Sequence, residues 1–390
     1  MKKLLKVTAA VFTVLIVGSL IFFFGFAASI TERSLNPVLN KPPYQVSPRA
    51  AELHKKLFVA DMHADALLWN RDLNVDSAIA QVDVPKLIRG NVALQAFTVV
   101  TKTPRGLNIE RNTDETDNIF WLSLTQRLPL ENLFSLTKRA LYQAKKLHEY
   151  AANSNGKLVV IENKRDLAAF VERRKTEQIT AGWLGIEGAH ALDGKLENVD
   201  VLFDAGFRMM APTHFFDNDI GGSAHGVEKG GLTKKGKDVI RRMESKKMLV
   251  DLAHASPRTI DDILTIATRP VVVSHTGVKG TCDNQRNLTD DQLKRIAATG
   301  GVIGIGFWDT AVCGEDAASI ARAIKYAVRV AGIDHVALGS DFDGSVKVPF
   351  DTSGEAFITE ALIAEGFTDQ NIDLVMGGNV LKLIAENFPD

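Results

Sequence analysis

A chain of 390 residues that is 45% hydrophobic and 24% charged carries enough apolar material for a large core, which excludes a disordered protein. Its formal net charge of −1, with both signs mixed along the sequence, excludes the basic field that nucleic-acid binding needs and favours a small substrate. Cys282 and Cys313 are the only cysteines, too few for a disulfide framework and without zinc-ribbon spacing, so the sequence leaves their oxidation state open.

Lys2, Lys3 and Lys6 precede a charge-free run from Val7 to Ile30, long enough to cross a bilayer as one helix. Its length favours a retained anchor, residues 1–30, over a secretory signal cleaved beside Ala27, Ala28 and Ser29. The lysines are expected to stay cytoplasmic, which puts everything after the run in the periplasm or the extracellular space. Residues 31–50, containing "SLNPVLNKPPYQVSP", read as an extended linker, and residues 51–390 as one domain.

Within that domain short apolar runs alternate with helical patterns. The runs are "LFVADMHAD", "NVALQAFTVV", "AGWLGIEGAH", "FRMMAPTHFF", "KMLVDLAHAS", "PVVVSHTG", "GGVIGIGFW" and "HVALGSDFDG". Eight strand-helix units predict an α/β fold, a (β/α)8 TIM barrel. An open doubly wound sheet is the runner-up, but no G-x-G-x-x-G follows the first strand to make a dinucleotide site. Between the second and third runs, "DNIFWLSLTQRL" and "LFSLTKRALYQAKKLHEYAA" predict helices added over one side of the barrel mouth, and "LVVIENKRDLAAFVERR" a further short strand and helix. The patterns "DDQLKRIAATG" and "ASIARAIKYAVRVAG" read as outer helices with solvated charged faces, ending at glycine.

Ligand-type residues recur where the runs end: His63 and Asp65 at the first, Glu187 at the third, His214 at the fourth, His254 at the fifth, His275 at the sixth and Asp341 at the eighth. A barrel gathers all strand C-termini on one face, so these residues are expected to share a pocket. His63 and Asp65, two apart on a strand, face the same way and suit one ion. Imidazole and carboxylate donors without thiolate suit zinc, although manganese, cobalt and iron use the same set. Five protein ligands are too many for one open catalytic zinc. Two ions sharing a bridging carboxylate fit better and leave room for a common hydroxide.

"HAD", "VPKLIRGNVALQAF", "GIEGAHAL", "LTKKGKDVIRRMESKKMLVDLAHAS", "PVVVSHTGVKGTCDNQRNL" and "DHVALGSDFDG", in this order over residues 55 to 385, resemble the membrane dipeptidase (renal dipeptidase) family of zinc peptidases. The resemblance implies the barrel of the amidohydrolase superfamily with a binuclear zinc centre. It also implies hydrolysis of dipeptides, including those with a D-configured C-terminal residue, by a hydroxide bridging the metals. It implies His63 and Asp65 as ligands of one zinc, His254 and His275 of the other, and Glu187 as the bridge. His214 would contact the substrate carbonyl, Arg286 the substrate carboxylate, and Asp341 would handle the proton. The partners so implied are a dipeptide, the membrane through the N-terminal helix and, in a homodimer, a second copy of the chain.

Some positions depart from the family. Ala64 replaces an asparagine that points away from the metals, and the loop "THFFDNDIGGSAHG" differs from its mammalian counterpart, which bears on side-chain selectivity. His225 in that loop reads as solvated, Asp343 as a turn residue before Gly344, and His190 as either support for the site or a structural hydrogen bond. Mammalian members are lipid-anchored at the C-terminus, whereas "LIAENFPD" has no hydrophobic tail, so attachment is expected at the N-terminus. The same ligand set serves lactonases, phosphotriesterases and deaminases, and a catalytically silent binding protein is the reading from outside enzymology. Arg286 argues against the first and the complete ligand set against the second.

Overall fold

The computed structural model describes residues 2–390. The apolar runs become nine strands: β1 (Val59–Ala64), β2 (Val92–Val100), β3 (Leu158–Val160), β4 (Thr180–Glu187), β5 (Phe207–Met210), β6 (Leu249–Val250), β7 (Val272–Thr276), β8 (Val302–Ile305) and β9 (Val336–Leu338). Eight of them make one curled parallel sheet in the order β6-β5-β4-β2-β1-β9-β8-β7, and the short β3 pairs with β4 outside this path. Every residue of these eight strands is buried, which is why their sequences are nearly continuous apolar runs instead of alternating ones.

The closed barrel expected from the sequence is not formed by the strand ladders. Between β6 and β7 only an isolated bridge joins Asp251 to Val272, where the Leu252 N–H donates to the Val272 carbonyl at 2.8 Å. β6 has only two residues, and just beyond it the Asp251 carboxylate accepts the Ala253 N–H at 3.0 Å and, across the seam, the Ser274 N–H of β7 at 2.8 Å. The sheet therefore curls as a half-barrel with an open seam, and its strand C-termini still converge on one face.

Helices cover the outer side. Asp290–Ala298 starts at a capping box between Thr289 and Gln292, and Ala317–Ala331 stops at Gly332, whose φ of 96° suits only glycine. The insertion between β2 and β3 contains the helices Asn118–Thr125, Leu130–Phe134 and Leu136–Asn153. It is tied down by buried Arg139, which donates to the carbonyls of Thr101 and Asn132 at 2.7 Å and to Asp117 at 2.6 Å.

At the N-terminus α1 (Lys2–Gly25) has 24 residues, none of them buried. At ~1.5 Å per residue it reaches ~36 Å, more than a hydrocarbon core of ~30 Å requires. The apolar run does not continue as one helix to Ile30: it breaks at Phe26 and resumes as α2 (Ala27–Leu35). Nor is 31–50 a free extended linker. Glu32 is buried against Arg71, whose Nε donates to it at 2.6 Å and whose other nitrogens reach Val82 and Asp343. Asn36 accepts the Ser345 N–H at 2.8 Å, and the Leu39 N–H reaches the Val348 carbonyl at 3.0 Å. A buried glutamate needs such a partner, so Arg71 fixes where α2 lies.

Candidate metal centre and substrate pocket

His63 lies in β1 and Asp65 just beyond it, Glu187 ends β4, His275 lies in β7, and His214, His254 and Asp341 follow β5, β6 and β9 by three or four residues. The structure brings all seven together at the open end of the curled sheet, with Arg286 from the loop after β7. All except His63, which lies beneath them, line one cavity of about 810 Å³.

Glu187 is the centre of the cluster. Its Oε1 lies 3.0 Å from Nε2 of His254 and 3.4 Å from Nε2 of both His63 and His275, and its Oε2 lies 2.9 Å from Nε2 of His214. Two sets of potential ligand atoms, His63–Asp65–Glu187 and Glu187–His254–His275, each gather within 4.8 Å and share this carboxylate. A third set joins His63 and His275 to Asp341.

The donors fit divalent ions. His63 Nε2 and Glu187 Oε1 are buried without a hydrogen-bond partner, and Nε2 of His254 and His275 face each other at 2.9 Å. Such orphaned nitrogens and oxygens are costly in a folded protein unless something else binds them. Electrostatics agrees. Burial pushes Glu187 up, but the imidazoles of His214, His63 and His254 outweigh it and hold the carboxylate well below its usual range. Asp341 is pushed well above its range by burial, with Asp65 and Glu187 adding to the rise over the opposing His63 and Arg286. Three carboxylates in one buried site ionise together only beside cations.

The sequence pattern of the membrane dipeptidase family (peptidase family M19) matches residues 47–388. The chain belongs to this family. A dipeptidase of Schizosaccharomyces pombe is 29% identical to this family member over 323 residues, 78% of this chain and 71% of its own. Among solved structures, the probable dipeptidase PvdM from Pseudomonas aeruginosa superposes with a TM-score of 0.72 at 20% identity, covering 87% of this chain and 99% of its own. A metallopeptidase from Rhodobacter sphaeroides, liganded with a phosphinate mimic of the dipeptide L-Ala-D-Ala, gives 0.70 at 21% identity, covering 85% and 99%. These two likenesses are of fold.

Around the candidate ligands of this membrane-dipeptidase family member stands a layer that sequence reasoning missed. Ser274 Oγ lies 2.9 Å from His63 Nδ1 and 3.0 Å from His275 Nδ1, so one hydroxyl orients an imidazole in each ligand set and turns both Nε2 atoms inward. Thr98 donates to Asp65 at 2.7 Å. Asp61, two residues before His63, ties β1 to β9 through the N–H and hydroxyl of Ser340 at 2.8 and 2.6 Å and takes a bond from Gln95 at 2.8 Å. The period of two in "ADMHAD" was the available signal for Asp61; nothing in the sequence marked Ser274. Ser274→Ala is expected to weaken metal binding by about 10–100-fold with the fold intact, as read by competition with a chelating dye.

Two nearby residues differ from their sequence reading, and for a third, His190, one of two alternatives drops out. His225 is not solvated: it is buried in the cavity wall, its Nδ1 2.7 Å from the Ile109 carbonyl and its ring 4.7 Å from that of Phe215. Burial, reinforced by the charge of Arg286, lowers its pKa to about 3, so it stays neutral. Asp343 is no simple turn residue, for it is buried and accepts the N–H groups of Gln81 and Val82 at 2.9 and 3.1 Å besides its pair with Arg71. His190 makes no side-chain hydrogen bond and packs 4.8 Å from the Phe216 ring, with burial lowering its pKa to about 3. A side chain on Gly188, whose φ is 95°, would come within 2.2 Å of that imidazole, so glycine is required there twice over.

Arg286 is buried, and its Nη2 donates to the His275 carbonyl at 2.7 Å. Four residues earlier Cys282 forms a disulfide with Cys313 in the loop after β8, closing a separation of 31 residues. A loop of that size stabilises the fold by about 3–4 kcal/mol in the chain-entropy account, and it fixes the segment carrying Arg286. His254, Asp341 and Asp343 all adopt left-handed backbone, with φ of 61°, 65° and 61°.

Proposed function

We propose that this chain is a dipeptidase holding two zinc ions, which cleaves dipeptides with a free C-terminal carboxylate, including those whose C-terminal residue is D-configured. The observation that carries the proposal is the carboxylate of Glu187 shared by two ligand sets in a cavity that also holds Arg286. His63 and Asp65 would hold one ion, His254 and His275 the other. Bound there, the ions would lower the pKa of a water molecule and would polarise the peptide carbonyl.

The chain's own residues do the rest. Arg286 pairs with the terminal carboxylate and so sets how far the scissile bond lies from the ligands. A longer peptide would continue where this pairing demands an end. His214 donates to the carbonyl oxygen as negative charge develops on it, and Asp341 takes the water's proton and returns it to the leaving amine. The phosphinate-bound Rhodobacter structure motivates the D-configured residue.

Residues 1–30 anchor the chain in this reading, with Lys2, Lys3 and Lys6 cytoplasmic and residues 51–390 outside the cytoplasm as the catalytic domain. The Cys282–Cys313 disulfide supports that side, because such bonds persist in oxidising compartments. Purified full-length protein is expected to contain two zinc ions per chain and to hydrolyse both L,L and L,D dipeptides, with a chelator abolishing both. One ion after zinc supplementation would contradict the paired site. Turnover of lactones or phosphotriesters with none of dipeptides would replace the substrate.

A further inference from the structure

We infer that the helical hairpin at residues 118–134 is a lipid-facing element that holds the mouth of the active-site cavity against the bilayer surface. The inference rests on the reading of α1 as a membrane anchor. Trp121, Leu130 and Phe134 are 49%, 71% and 77% exposed, and Phe120 joins them into one patch with its ring 5.4 Å from that of Trp121 and 6.3 Å from that of Phe134. Large apolar side chains crowded on one exposed hairpin mark a contact surface.

The bilayer is the occupant that the neighbouring residues select. In the turn between the two helices, Arg127 places its guanidinium 5.5 Å over the ring of Phe24 and donates to the Phe24 carbonyl at 3.4 Å. Phe24 is in the last turn of α1, the level at which a span leaves the hydrocarbon and aromatic and basic side chains settle at the headgroups. The patch is thus continuous with a helix that carries no charge beyond Lys6 and has no buried residue, at the depth where tryptophan and arginine belong. Ile119 and Leu122 on the hairpin line the cavity, Trp121 stands half-exposed at its rim, and Thr31 and Leu35 of α2 line it as well. The rim is therefore built by two elements that both meet the membrane, and a substrate enters from the layer of water next to the lipid.

Tryptophan fluorescence tests this in full-length protein reconstituted into phosphatidylcholine vesicles. Trp69, Trp183 and Trp308 are buried, which leaves Trp121 as the exposed reporter. A lipid carrying a quencher near the headgroup is expected to dim the emission about twofold more strongly than one carrying it at the chain end, and Trp121→Phe should remove the difference. Phe134→Asp, outside the cavity, should halve the quenching while dipeptide hydrolysis in detergent stays unchanged. If neither lipid quenches Trp121 while the protein resists carbonate extraction, the anchor stands and this inference fails. Cross-linking of two chains through the hairpin would overturn it in favour of a second copy. Release by carbonate would overturn the anchor reading and the inference together.

Discussion

Replacement of Glu187 by glutamine is expected to leave less than one tightly bound ion per chain and to lower dipeptide hydrolysis by about a thousandfold or more. Four imidazoles, those of His63, His214, His254 and His275, lie within 3.4 Å of its two oxygens, and it alone belongs to both His63–Asp65–Glu187 and Glu187–His254–His275. Glutamine keeps the volume and one carbonyl oxygen but removes the charge that lets each set neutralise a dication. His254→Ala offers the contrast: it removes a ligand from one set and spares His63–Asp65–Glu187, so one ion should remain with little activity. Elemental analysis of both variants beside the parent separates the cases. Two ions retained in Glu187→Gln would show that the carboxylate does not bridge.

Arg286→Leu is expected to lower kcat/KM for a dipeptide by about a hundredfold, near 3 kcal/mol, with most of the loss in KM. Leucine leaves the substrate carboxylate desolvated without a partner, the cost that follows removal of one half of a buried charged pair. Because Arg286 also donates to the His275 carbonyl, metal content has to be measured alongside. The diagnostic comparison is a dipeptide against its C-terminal amide. The parent should favour the free acid strongly; the variant should not, while keeping both ions. Undiminished preference for the acid in the variant would assign the carboxylate to another group, for which Lys347 on the cavity wall is the cation at hand.

Much of this site was legible because the fold class does the assembling. His63, Glu187 and His275 lie in predicted strands, and a parallel sheet that curls must bring its C-terminal ends together, so strand order was not needed to predict that they meet. His214, His254 and Asp341 were found by the same rule although they sit on the turns after their strands. What stayed hidden depended on contacts between segments far apart in sequence. Ser274 orients His63 from 211 residues away, Arg71 reaches both Glu32 and Asp343, and Cys282 meets Cys313 only because β7 and β8 are neighbours. The open seam had a different cause. Hydrophobic patterning counts strands but does not say that β6 will be two residues long, with the Asp251 side chain reaching β7 in place of a ladder.

The left-handed backbone of His254, Asp341 and Asp343 carries a message about descent. Each conformation costs a non-glycine residue on the order of 1 kcal/mol, and glycine or asparagine would be easier occupants. Asp343 is held by Arg71 and the N–H groups of Gln81 and Val82, whereas at His254 and Asp341 the fold by itself therefore favours losing the side chain, and the cavity they line is the reason to keep it. A relative that has abandoned hydrolysis is free to relax there first, long before its strands change. Glycine at both His254 and Asp341 in a homologous chain would identify a lineage that has kept the scaffold and retired the chemistry.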